Sequence, residues 1–281
     1  MQAQPGQAQY GAAQDAEAQY AEAQYADDRP APERGVPGHR MGRYDDARTM
    51  VVRDVLAAVT TELTAQTGRA RLDIIDAGGG TGGFAVPLAA AGHTVTVVDP
   101  SPDSLAAAQR RAAEMAVPLR AVQGDATDLA ALAGAQGADL VLCHSVLEYV
   151  DSPAAAMTAV ASVLRPGGAV SVLAASAVAA VLHRALAGRF AEARRLLAAV
   201  AATGPAAPRR FTLAEVTGLI EEAGLRPGPA HGIRVFTDLV PGSFADVDPG
   251  AADALLALER ATSVHPAFHD IAAQFHVLGF R

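Results

Sequence analysis

From residue 44 onward the apolar positions switch between two periods, and the switches predict the architecture. Tyr44 to Thr64 repeats apolar residues at helical spacing, with Met50, Val51, Val55, Leu56, Val59 and Leu63 on one face. Leu72-Asp73-Ile74-Ile75-Asp76 is too short for a helix and reads as a buried strand. It breaks into Gly78-Gly79-Gly80-Thr81-Gly82-Gly83 and gives way to a helix from Phe84 to Ala91. The unit then recurs. His93 to Asp99 is a second strand, and Pro100-Ser101-Pro102-Asp103 caps a helix running to Met115. Further strands are predicted at Leu119 to Gln123, Asp139 to His144 and Ala169 to Ala174. A helix at Ala154 to Leu164 and a turn at Arg165-Pro166-Gly167-Gly168 precede the last of these. Strands alternating with helices predict an α/β fold with a doubly wound, mostly parallel sheet.

The alternation pauses after Ala175. Residues 177–210 read as two short helices around Gly188, a helical insertion after the fifth strand that is placed to cover a site at the strand ends. The helical pattern resumes from Phe211 to Ala223, with Thr212 as N-cap and Glu215 three residues on. Strands around His231 to Phe236 and Gln274 to Phe280, with a helix from Ala251 to Ala261 between them, bring the count to seven. Residues 1–43 carry no apolar set to bury, and Ala16-Glu17-Ala18-Gln19-Tyr20 recurs at Ala21-Glu22-Ala23-Gln24-Tyr25. The sequence therefore predicts a disordered low-complexity tail over 1–43 and one domain over 44–281.

Composition narrows the setting. The 281-residue chain carries a formal charge of −8 and a single cysteine, Cys143, which suits a reducing cytoplasm. No basic start followed by an apolar segment suggests a leader, and the apolar run Ala169 to Leu182 is shorter than the ~20 residues that span a bilayer. A cytoplasmic protein without a membrane partner is expected. Nothing in the sequence sets an oligomeric state. The acidic balance counts against nucleic acid, whose phosphates need clustered Lys and Arg. His265 and His269 have metal-ligand spacing, but Pro266 interrupts the helix and no third ligand lies nearby, so no metal is expected.

The glycine turn is the main candidate for chemistry. Such a turn lets a ligand approach the backbone, and the helix N-terminus behind it offers N–H groups to an anion. Gly78, Gly80 and Gly83 fit a dinucleotide pattern; Gly78, Gly80 and Gly82 equally fit that of S-adenosylmethionine (SAM) enzymes. Asp76 favours the second, because a carboxylate repels a pyrophosphate but attracts the ammonium of a methionine moiety. Asp99 lies about 20 residues beyond the glycines, where a carboxylate accepts from ribose hydroxyls. Asp125, after the third strand, suits the exocyclic amine of adenine. Arg48, one turn into the first helix, is a candidate for the cofactor carboxylate. His144 and Glu148, at the end of the fourth strand, are further site candidates.

These motifs resemble a known family. Asp76-x-Gly-x-Gly-x-Gly, Asp99, Asp125 and Pro166-Gly-Gly resemble a class I SAM-dependent methyltransferase with its Rossmann-like seven-stranded sheet. Asp76-Ala-Gly-Gly-Gly, His144-Ser-Val-Leu-Glu-Tyr-Val, Val163-Leu-Arg-Pro-Gly-Gly and Gly232-Ile-Arg-Val-Phe-x-Asp are most similar to the tRNA 5-carboxymethoxyuridine methyltransferases. The resemblance implies cofactor contacts at Arg48, Gly78, Gly79, Asp99, Ala126, Thr127 and His144, with Gly80 inside the same motif. Three departures accompany it. Ala175-Ser176 stands where the family has Tyr-Asn, Thr237 replaces a histidine, and Ala198 to Pro208 lacks a lysine-rich run.

The implied reaction is methyl transfer from SAM to a carboxylate. Such an acceptor is already ionised at neutral pH, with a pKa near ~4, and needs no general base. Arg234 is the candidate to hold it. A hydroxyl or amine acceptor would need a base, for which His144 and Glu148 are the nearest candidates. Without the lysine run, a small-molecule carboxylate is favoured over tRNA as acceptor. An NAD-binding oxidoreductase and a non-catalytic SAM-binding protein are the alternatives.

Overall fold

The computed structural model describes residues 41–133, 137–200, 209–240 and 250–281. The low-complexity tail over 1–43 therefore lies almost wholly outside the described residues.

The sequence-predicted elements form in order, joined by a 3-10 turn at Ala126–Asp128 and two short helices at Leu129–Ala133 and Pro266–His269 that the sequence did not predict. They are α1 (Met41–Thr67), β1 (Asp73–Ala77), α2 (Ala85–Ala90), β2 (Thr94–Asp99), α3 (Pro102–Glu114), β3 (Arg120–Gln123), a 3-10 turn (Ala126–Asp128), α4 (Leu129–Ala133) and β4 (Ala138–His144). Then come α5 (Pro153–Val163), β5 (Leu164–Ala175), α6 (Ala177–Leu186), α7 (Phe190–Val200), α8 (Leu213–Glu222), β6 (Arg226–Ile233), α9 (Ala251–Ser263), α10 (Pro266–His269) and β7 (Gln274–Phe280). The seven strands make one sheet in the order β3-β2-β1-β4-β5-β7-β6. β7 runs antiparallel to both β5 and β6, and the pairs β1–β2, β1–β4, β2–β3 and β4–β5 are parallel. It is a Rossmann-like, doubly wound sheet with an antiparallel end.

Both faces are covered, so the central strands can be apolar throughout. On one face Ile75, Val141, Val170, Val172 and Val277 pack under Met157 and Val160 of α5 and Val216 and Ile220 of α8. On the other, Ile74, Val97, Leu140, Leu142 and Leu173 meet Val52, Leu56, Val59 and Leu63 of α1, together with Ala85 and Leu88 of α2. Adjacent residues such as Ile74 and Ile75 therefore serve opposite cores. Serine and threonine caps fix helix starts: Ser101, Ser152, Ser176 and Thr212 each accept from the backbone N–H three residues on, and Thr212 with Glu215 completes a capping box.

Two local readings change. Arg165-Pro166-Gly167-Gly168, expected as a turn, is drawn into the start of β5 across a register shift opposite β4, because Gly167 and Gly168 exchange backbone bonds with Arg281. β6 begins five residues earlier than predicted and ends at Ile233, so Arg234 lies just past the strand.

Candidate functional site

The site starts with β1. Asp76 sits one residue before the end of the strand, almost fully buried. Burial, reinforced by the nearby Asp99 charge, pushes its carboxyl up to about 7. The chain then turns through Gly78 at φ 68°, whose N–H donates to the Val98 carbonyl at 2.7 Å. A side chain is excluded here by space as well as conformation. A Cβ at Gly78 would lie 2.4 Å from Val146 Cγ2, and one at Gly79 would lie 2.6 Å from the Asp76 carboxyl. In front of Gly80, by contrast, a Cβ would meet no atom within 4 Å. The turn is therefore packed from behind and open ahead, which is the shape a bound cofactor requires.

Asp99, closing β2, faces this turn. Its Oδ2 accepts from the Gly80 N–H and its Oδ1 from the Ser101 N–H, both at 2.9 Å. Each oxygen keeps a second lone pair for a ligand hydroxyl. The Gly124 N–H donates to the Asp99 carbonyl, which brings the end of β3 alongside. Asp125 there accepts from the N–H and the hydroxyl of Thr127 at 2.9 Å each and opens the turn that buries Ala126. The strand order thus lines up Asp76, Asp99 and Asp125 at the ends of three neighbouring strands. Arg48 belongs to α1, but its side chain lies outside the described residues.

His144 ends β4 on the α1 face, with its ring edge-on to Phe84 behind the glycine turn at 4.8 Å. Its Nε2 lies 2.7 Å from Ser171 Oγ on β5, and that oxygen lies 2.6 Å from His276 Nε2 on β7. Burial lowers His144 to about 3 and His276 well below the usual range, so both rings are neutral. Glu148, also buried, uses Oε1 to accept from the Ala175 N–H at 2.6 Å, while its backbone carbonyl accepts from the Arg209 N–H. It ties the end of β5 and the segment before α8 to the loop after β4. Burial raises its carboxyl, and the Arg210 charge opposes that rise. Cys143 is a buried thiol pushed up to about 12, which makes it inert.

Arg234, at φ 59°, carries a left-handed backbone uncommon for a residue other than glycine. It pairs with Asp238. The loop is held by Glu259 of α9, a buried carboxylate that accepts from the backbone N–H groups of Val235, Phe236 and Thr237 and from the Thr237 hydroxyl, at 2.6–3.0 Å. Burial lowers His183 of α6, and the charges of Asp238, Arg234 and Arg210 act on it in turn. Sequence reading gave no role to Glu259, His183, Ser171 or His276, although Leu255-Leu-x-Leu-Glu259 and His276-Val277 belong to the stretch that resembles the family. His265 and His269 serve the backbone: His265 caps α10 and His269 bonds the Ser263 carbonyl.

Residues 75–172 match the family model described as a methyltransferase domain. The tRNA 5-carboxymethoxyuridine methyltransferase of Escherichia coli is 33% identical over 199 residues, covering 69% of this chain and 74% of that one. The chain belongs to the family of the tRNA 5-carboxymethoxyuridine methyltransferases, and is a SAM-dependent methyltransferase. A ubiquinone biosynthesis O-methyltransferase of Methylobacterium nodulans is 37% identical over 158 residues, 55% of this methyltransferase and 59% of its relative. The fold is shared with the magnesium protoporphyrin IX methyltransferase of Synechocystis, solved with bound SAH, at a TM-score of 0.54 and 16% identity over 88% of this chain and 90% of that one. The cofactor is SAM, as for the family, and the glycine turn is open on the side where a ligand would approach. No described helix is long and apolar enough to cross a membrane.

Proposed function

We propose that this methyltransferase transfers a methyl group to a carboxylate oxygen and that Arg234 holds the carboxylate. The observation that carries the reading is the placement of Arg234. A buried carboxylate on α9 pins its loop, and Arg234 follows the end of β6, at the same end of the sheet as the glycine turn. Bound SAM supplies an electrophilic methyl on a sulfonium. Asp76 would face its ammonium, Asp99 its ribose hydroxyls and Asp125 its adenine amine, while Gly78, Gly79, Gly80, Ala126 and Thr127 provide backbone contact. His144, neutral and held by Ser171, offers a polar edge to the same cofactor. Catalysis then rests on alignment and on keeping water out, with α6 and α7 positioned to do so. Glu148 serves as a brace, since one of its oxygens already holds the end of β5.

The first reading of the acceptor is a small carboxylate, because the family's lysine run is missing. A specific observation favours a second, tRNA. The insertion and the segment following it, residues 177–210, carry six arginines against one glutamate in a chain of net charge −8. That local excess suits a phosphate backbone.

Methyl-labelled SAM should be incubated with two acceptors in parallel, tRNA bearing unmethylated 5-carboxymethoxyuridine and the free nucleoside. Label in a base-labile ester is the expected product. Label on the tRNA alone, lost with rising salt, would select the second reading. Arg234→Ala is expected to abolish turnover and leave SAM affinity within about threefold, since the guanidinium, which also pairs with Asp238, would meet the acceptor and not the cofactor. Normal turnover by that variant would sink the reading.

A further inference from the structure

The end of β5 is flanked on both sides by segments that carry an arginine. Ser176, just past the strand, forms a parallel bridge with Phe211: the Phe211 N–H donates to the Ala175 carbonyl and the Ala177 N–H to the Phe211 carbonyl, both at 2.9 Å. On the other side the Ser176 N–H donates to the Ala273 carbonyl at 3.0 Å, and the Ala273 N–H to the Arg234 carbonyl at 3.4 Å. The rim of the sheet therefore runs from the segment 209–211 through Ser176 and Ala273 to Arg234. Three neighbouring-chain steps of about 4.8 Å put the Phe211 backbone roughly 14 Å from that of Arg234. Ala175, Ser176 and Ala273, the residues between, are all small.

The bridge also sets which way the side chains of this segment face. In an extended segment successive side chains alternate sides. Arg209 and Phe211 both line the cavity beside the starts of α5 and α8, with Asp151, Ser152 and Glu215. Arg210, between them, takes the opposite side. It is exposed, and its guanidinium has no hydrogen bond or ion pair among the described residues. Its charge acts on Glu148, in the loop after β4, and on His183 of α6, without pairing with either. The Arg209 N–H donates to the Glu148 carbonyl at 3.0 Å, so the backbone on both sides of Arg210 is tied to the strand ends. An unpaired cation held there, in a chain of net charge −8, is placed to receive an anion.

We propose that Arg210 is a second acceptor-contacting residue, which takes a phosphate of the acceptor while Arg234 takes the carboxylate. One carboxylate fills one guanidinium fork, so a second unpaired arginine on the same rim calls for a second anion. The acceptor is then a nucleotide unit rather than a nucleoside or a lone carboxylate. The inference rests on the reading that brings the acceptor to this end of the sheet, and the two arginine contacts can fail separately.

Calorimetry on the full chain loaded with SAH separates the two contacts with four ligands: uridine, 5-carboxymethoxyuridine and the 3′,5′-bisphosphate of each. The phosphates are expected to tighten binding about tenfold to a hundredfold, the worth of a charge-assisted pair, with or without the carboxylate. Arg210→Gln should remove that gain and leave the affinities for both nucleosides and for SAH within about threefold. Arg209→Gln, on the other side of the segment, should keep the gain. No gain from the phosphates in the unaltered protein overturns the inference. So does a gain that survives Arg210→Gln, or one that Arg209→Gln removes equally, since that would be the pull of net charge alone. If the phosphates act through Arg210 but the carboxylate adds nothing, or adds as much in Arg234→Ala, the inference stands and the Arg234 assignment fails.

Discussion

Asp76 and Asp99 are two carboxylates at the ends of neighbouring strands, and their surroundings split their behaviour. Asp99 is fixed by two backbone N–H groups, whereas Asp76 is buried next to it and raised to about 7. A cofactor ammonium would draw the Asp76 proton off, so SAM affinity should fall as the pH drops below about 7, by at most tenfold per pH unit, and level off above it. Calorimetry on either side of about pH 7 checks this, and Asp76→Asn should remove the dependence. Asp99→Ala should weaken SAM binding about tenfold to a hundredfold, the loss of charge-assisted hydrogen bonds to a ribose. Unchanged calorimetric affinity would take Asp99 out of the site.

At the scale of elements, the loop after β6 depends on a helix that follows it in sequence. Glu259 gathers three consecutive N–H groups and a hydroxyl, satisfying a backbone that would otherwise be buried without partners. Glu259→Gln presents an amide N–H to donors and should cost about 2–3 kcal/mol, read as a lowered urea midpoint with an unchanged m-value. A comparable knot ties the opposite end of the sheet. Asp139 is nearly buried and accepts from the Asp73 N–H at 2.8 Å, while Arg69 and Arg165 each reach both aspartates. That cluster joins the starts of β1, β4 and β5, far from the glycine turn, and leaves the chemistry at the other end undisturbed.

Across the whole molecule, buried titratable groups set how stability follows pH. His93, His144, His183, His231 and His276 are all lowered by burial. A lowered histidine stays neutral when folded but takes a proton near 6.5 when unfolded. Its stability contribution is complete above 6.5 and is lost as the pH falls, down to about 3 for His144. Each fully buried ring removes about 1.4 kcal/mol per pH unit below that point. Asp76 works in the opposite sense, since its raised carboxyl adds stability as the pH falls from about 7 toward 3.8. One such acid offsets one such histidine, and His144 and His276 together exceed it. Melting temperature is therefore expected to decline below about pH 6, and His276→Gln should make the decline shallower.

The order of strands and helices, the glycine turn and the three acids were legible in the sequence because each is written locally. Strand and helix periods need only near neighbours, a tight turn next to a ligand needs glycine, and an acid at the end of a predicted strand inherits its place from that strand. The capping pair Thr212 and Glu215 was readable for the same reason. The tertiary structure alone decided which distant residues meet. Ser171 lies 27 residues from His144 and 105 from His276, and only the placement of β5 between β4 and β7 makes them one hydrogen-bonded row. Glu259 looks like any acid on a helix until α9 lies under the loop after β6. The antiparallel turn of β7 decided that Gly167 and Gly168 extend β5, because a backbone group takes the partner that packing brings within reach. Local sequence determines what an element is, and burial determines what its polar atoms must then find.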